Sequence, residues 1–86
     1  MAAVRPEDAQ AVASRADLVA YLVDLSSRVR DGRTSVENAS VPDFIEAAAY
    51  WSQGMDGFFL NRGEEVPDAP SWAMIAMIFS AALVYE

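Results

Sequence analysis

The chain contains no cysteine and no histidine, and all six of its basic residues are arginine, so lysine is missing as well. Without cysteine there is no disulfide, no thiolate and no redox centre of its own. The loss of histidine removes the usual zinc and transition-metal ligand sets. With cysteine, histidine and lysine all absent, most nucleophile–base pairs cannot be assembled. Carboxylate, hydroxyl and guanidinium chemistry is what remains. The chain is therefore expected not to be an enzyme acting through its own side chains, and no cofactor is expected.

Positive charge is scarce. Six arginines stand against thirteen acids, for a net charge of −7. Such a field repels phosphate backbones, and there is no basic stripe to drive counterion release, so nucleic acid is not an expected partner. Adhesion to an anionic membrane surface is disfavoured for the same reason. A spanning segment is not expected either: the most apolar stretch, Trp72 to Tyr85, is fourteen residues, short of the ~20 that cross hydrocarbon. The first eight residues, Met1 to Asp8, lack the apolar core of a signal peptide, which points to a cytoplasmic protein. An acidic surface can steer a basic protein partner, or it can serve solubility alone.

What is present suits one small domain. Eighty-six residues bury only about 60–65% of their unfolded surface on folding, so each large apolar side chain matters. At 53% apolar residues the chain can form a packed core. Residues 1–13 read as an N-terminal tail or short helical segment, with the single helical domain over 14–86 and a folded start at Ser14.

Helical periodicity dominates, and no strand-like alternation is long enough to matter. Ser14 with Asp17 has the form of a capping box, followed by Leu18, Leu22, Leu25 and Val29 within about 60° of one another on a helical wheel. This predicts a helix over approximately 15–30, closed by Gly32. Ser40, Pro42 and Asp43 open a second helix. Its stripe of Phe44, Ala48, Trp51, Met55 and Phe58 runs through Gly54 and Gly57 to about residue 60. Two helical glycines cost about 1 kcal/mol each, so a break near Gly54 is the alternative. Asn61-Arg62-Gly63 marks the exit, and Pro67 and Pro70 exclude helix from the following loop. Ser71 caps a last helix over about 72–85. The expected class is all-α, a small antiparallel bundle of three main helices with a frayed N-terminal segment.

The last helix is apolar all round. Trp72, Ile75, Phe79 and Leu83 form one stripe, expected to face the core. Met74, Ile78, Ala81 and Tyr85 form a second about 180° away. Two partner helices do not cover both, so the second stripe is covered either by the N-terminal segment or by another molecule. A homodimer built on Met74, Ile78, Ala81 and Tyr85 is the favoured expectation, because a two-fold axis lets one patch satisfy itself.

Candidate functional residues are few. Asp56, Glu64, Glu65 and Asp68 offer hard oxygen ligands of the kind Mg²⁺ or Ca²⁺ takes, but Phe58, Phe59 and Leu60 interrupt them and their spacing matches no calcium loop. They read better as solvated loop acids, and no metal site is expected. Arg62 with Asp56 suits recognition of an anion or peptide, or simply a helix end with Arg62 paired to Asp56 or to terminal carbonyls. Tyr50 points away from the apolar stripe of its helix and Phe59 sits on the flank. Tyr50, Asp56, Phe59, Arg62, Glu64 and Glu65 therefore make up the expected partner surface.

The run Pro42-Asp43-Phe44-Ile45-Glu46-Ala47, then Trp51, then Met55-Asp56-Gly57-Phe58-Phe59 and Asn61-Arg62-Gly63, with Pro67, Pro70-Ser71-Trp72 and Tyr85-Glu86, resembles a family of small bacterial domains of unknown function. The resemblance covers most of the chain from Ser14 onward. It implies a stand-alone, mostly helical bacterial domain, and supplies no activity, ligand or catalytic residue. The function expected from the residues is a non-catalytic, acidic protein-interaction module that associates with itself. The alternatives are an immunity or antitoxin-type protein that neutralises a basic partner, a homo-oligomeric structural or accessory protein, and, last, a carboxylate- or metal-dependent enzyme.

Overall fold

A computed structural model describes residues 5–85. A 3-10 turn at Pro6–Ala9 precedes three α-helices: α1, Arg15–Arg30; α2, Val41–Asn61; and α3, Trp72–Ala82. There is no strand among the described residues. The all-α class and the three-helix reading hold.

Each helix starts where a serine supplies an acceptor to an otherwise unpaired backbone amide. Ser14 Oγ accepts from the Asp17 amide at 3.1 Å, Ser40 Oγ from Asp43 at 3.2 Å, and Ser71 Oγ from Met74 at 3.0 Å. The capping box of α1 is shifted by one residue, since Asp17 accepts from the Ala13 amide rather than from Ser14. The first two helices end alike. Gly32 and Gly63 adopt φ of 72° and 70°, and the next residue turns its amide back to the carbonyl five positions earlier, Arg33 to Arg28 and Glu64 to Phe59. Glycine enters this left-handed conformation without a Cβ clash.

α2 runs unbroken through Gly54 and Gly57. Neither glycine answers a steric demand, because a Cβ at either position would meet nothing within 4 Å.

α3 is the centre of the molecule. α1, α2 and the N-terminal turn all pack against it, while α1 and α2 barely touch one another. Phe44 at the start of α2 meets Phe79 of α3 at 5.8 Å between ring centroids, with the rings tilted by 49°, and Leu25 of α1 packs with Leu83. The main core joins Trp51 and Phe59 of α2 to Met74, Met77 and Ala81 of α3.

This arrangement reverses the two stripes of α3 in part, since Leu83 of the first stays buried and Tyr85 of the second stays exposed. Met74 and Ala81 are 4% and 3% exposed and sit inside the chain, whereas Trp72 and Phe79 are 38% and 39% exposed. The cover over Met74 and Ala81 comes from residues ahead of Ser14: Ala9 is fully buried and Val12 nearly so, and both join the main core. Residues 5–13 are thus part of the folded unit, which does not begin at Ser14, while residues 1–4 of the expected tail lie outside the described residues. A helix apolar on every side carries no periodic signal for which face turns inward, so the short N-terminal segment decided it.

α3 also stops at Ala82, short of the expected Tyr85. The connection between α1 and α2 closes its end. The Glu37 and Asn38 amides donate to the Leu83 carbonyl at 2.8 and 3.0 Å, and Asn38 Nδ2 donates to the carbonyls of Ala82 and Tyr85 at 2.9 and 2.8 Å. Carbonyls that a helix leaves unpaired at its C-terminus are satisfied here by another part of the chain.

Candidate functional site

The six residues of the expected partner surface do not form one patch. Tyr50 is 52% exposed on the outside of α2, and Asp56 and Glu65 are exposed. Phe59 is the correction, since at 5% exposure it belongs to the core, with its ring edge-on to Phe58 at 5.3 Å. α2 is covered over a wider arc at its C-terminal end than at its start, which brings the flank position of Phe59 inside.

Arg62 and Glu64 are brought together, but as part of an internal clamp. Arg62 pairs with Glu7 and with Glu64, each at 3.5 Å, and donates to Gln10 Oε1 at 3.1 Å. Gln10 in turn donates to Glu64 at 3.3 Å, and the guanidinium lies 5.4 Å from the centre of the Phe58 ring. Asp56 takes no part in this network, contrary to the pairing expected for Arg62. The clamp ties the N-terminal turn to the exit of α2. Half-exposed ion pairs of this kind are each worth under about 1 kcal/mol, so their role is to set the position of the turn.

No group of three or more acids, histidines or cysteines able to hold a metal ion occurs among the described residues. Asp56, Glu64, Glu65 and Asp68 do not converge. The expected self-association stripe is likewise dispersed: Met74 and Ala81 are buried, Ile78 is half-buried against the core, and Tyr85 is 38% exposed.

An open apolar groove lies elsewhere. Because α1 and α2 flank α3 without closing on each other, a groove of about 520 Å³ remains between them. Leu22 and Val29 of α1 form one wall, Phe44 of α2 the other, and Phe79 and Leu83 the floor, with Ser26 and Arg30 on the α1 rim. A second hollow of about 550 Å³ shares Val29, Phe44 and Leu83 and continues toward Val36 and Asn38. The apolar surface does not stop at the rim. Val19 and Val23 on α1 are 56% and 65% exposed, and Val41 and Ile45 on α2 are 71% and 60% exposed. Contiguous exposed apolar surface of this kind marks interaction sites more often than solvated surface.

Sequence reasoning passed over this groove. A signal was present: Val19 and Val23 widen the apolar arc of α1 beyond the core stripe, and Val41 and Ile45 do the same beside Phe44. Those four residues could be recognised as a surface only once α3 had placed the two arcs on either side of Phe79.

No helix among the described residues is long and apolar enough to cross a membrane. No curated protein and no solved structure matches the chain. A family model described as a family of unknown function (DUF7660) matches residues 14–86, and the chain belongs to that family.

Proposed function

We propose that the protein is a non-catalytic, acidic interaction module that binds a polypeptide through the groove between α1 and α2. The observation that carries this reading is the groove itself, an apolar channel floored by Phe79 and Leu83 and left open in a chain of net charge −7. Its lining suits apolar side chains of a partner, and it holds no acid–base pair with which to do chemistry. A channel with aromatic and aliphatic walls and a polar rim is the usual form of an interface centre. A basic polypeptide, as an immunity-type protein would face, is the second reading and rests on the charge alone.

Photocross-linking tests the proposal. Benzoylphenylalanine at position 45, on the groove rim, should yield a polypeptide adduct in expressing cells. The same group at position 53, on the exposed outer side of α2, should not. Adducts from neither position, or equally from both, would sink the assignment.

A further inference from the structure

We infer that the α1–α2 groove face receives a second copy of this chain, related by a two-fold axis along α3, so that α1 of each copy lies against α2 of the other. The inference deepens the interaction-module reading, on which it rests, by naming the partner.

The distribution of charge around the groove carries the argument. Counted at about 100° per residue from Leu22, the side of α1 that faces the groove holds Arg15, Val19, Val23, Ser26 and Arg30, while Asp17 and Asp24 fall on the far side. This bank has two arginines and no acid. Arg15 and Arg30 are also the arginines that form no ion pair among the described residues, although the chain has thirteen acids. On α2 the groove side is identified by Val41 and Phe44, which line the hollows, whereas Trp51 turns toward Pro6 of the N-terminal turn. Counted in the same way from Phe44, Ser52, Ile45 and Asp56 fall about 80°, 100° and 120° round the helix, on the flank beyond Val41, and this flank carries an acid and no base.

One bank is basic and the other acidic, and the apolar residues are spread over both. A face built in this way is complementary to its own image. A two-fold axis perpendicular to α3 would lay α1 on α1 and bring Arg15 against Arg30 of the other copy, a repulsion between like charges. An axis along α3 instead sets α1 against α2. Val19 and Val23 then meet Val41 and Ile45 over the paired Phe79 floors, and Arg15 comes to the end of the groove that holds Asp56 of the other copy. An arginine that forms no ion pair among the described residues of the single chain gains one in the pair.

Light scattering of the purified full-length chain over a dilution series tests this. The expected result is a particle of twice 9.3 kDa that dissociates on dilution. Ile45→Asp and Val23→Asp change side chains exposed in the single chain, so the variants should keep their helical circular dichroism while dimer affinity falls at least tenfold. Arg15→Asp should weaken the dimer, and adding Asp56→Arg should restore most of the loss. A monomer at all concentrations overturns the inference, as does a dimer indifferent to Ile45→Asp and Val23→Asp. So does a charge exchange that fails to restore association. Cross-linking from position 45 separates the two levels of the argument. An adduct with a different polypeptide alone defeats the second copy and leaves the module standing. The lack of any adduct defeats both.

Discussion

The hydroxyl of Tyr21 on α1 lies 2.6 Å from Ser80 Oγ on α3, and the direction of that bond is set by a third group. Ser80 has one proton, which it donates to the Ala76 carbonyl one turn earlier at 2.9 Å. Tyr21 is therefore the donor. Ser80 is fully buried, so this pair is the polar link by which α1 is held to the central helix. Burial pushes the Tyr21 phenol above its ordinary pKa of 10.0 and outweighs the opposing effect of the Ser80 hydroxyl; Asp8 and Asp24 act with burial, and Arg28 against it.

A pH dependence follows. The folded state holds the Tyr21 proton more tightly than the unfolded chain, so the contribution is complete below the unfolded pKa of 10.0. It is lost as pH rises through the higher folded pKa. Thermal melts between pH 9 and 11 should show the wild type losing stability faster than Tyr21→Phe. At pH 7 the same variant should be about 1 kcal/mol less stable, for the loss of one hydrogen bond. Parallel melting curves for the two proteins across that range would refute the role given to Tyr21.

Asn38 is the second polar device. Its side-chain amide closes the end of α3 by donating to two carbonyls. Asn38→Ala should cost about 1–3 kcal/mol, because the partly buried Ala82 carbonyl loses this donor. Asn38→Asp should cost more, since it sets a carboxylate against the same carbonyls. Urea denaturation ranks the two variants, and an aspartate variant as stable as the wild type would show that the amide donates nothing of consequence.

Gly54 and Gly57 are exposed, have helical φ, and have open space where a Cβ would go. Replacing each with alanine should stabilise the protein by about 1 kcal/mol through helix propensity. A fall in melting temperature for either variant would mean that α2 needs a bend not seen here.

Phe59 and Trp72 make a matched pair of truncations. Phe59→Ala empties a buried core position and should cost about 3–5 kcal/mol. Trp72, at 38% exposure, should cost only about 1–2 kcal/mol on the same change. Denaturant titrations compare them directly, and the reverse order would restore Trp72 to the core.

Much of the architecture was legible beforehand because it is written in local chemistry. Ser14, Ser40 and Ser71 each stand ahead of an apolar period and each caps a helix, and Gly32 and Gly63 each follow a periodic run and end it. The stripe of α2 ran through Gly54 without a break, and so does the helix. The candidate sites were less legible. Arg62 carried no sign that its partners would be Glu7, Gln10 and Glu64, because they come from distant parts of the chain or from the far side of a turn. Phe59 sits on a helix flank, where burial depends on what else passes by.

By itself the sequence determined that the protein is helical and acidic, where its helices start, and that histidine, cysteine and lysine chemistry is closed to it. These follow from composition and from interactions within four residues along the chain. The tertiary structure decided which face of α3 turns inward. Met74 and Trp72 are equally apolar and stand two positions apart, so periodicity treats them alike. Ala9 and Val12 settle the matter by covering Met74 and Ala81 and leaving Phe79 at the bottom of an open groove. That choice depends on packing among residues more than sixty positions apart, where no local spacing rule reaches.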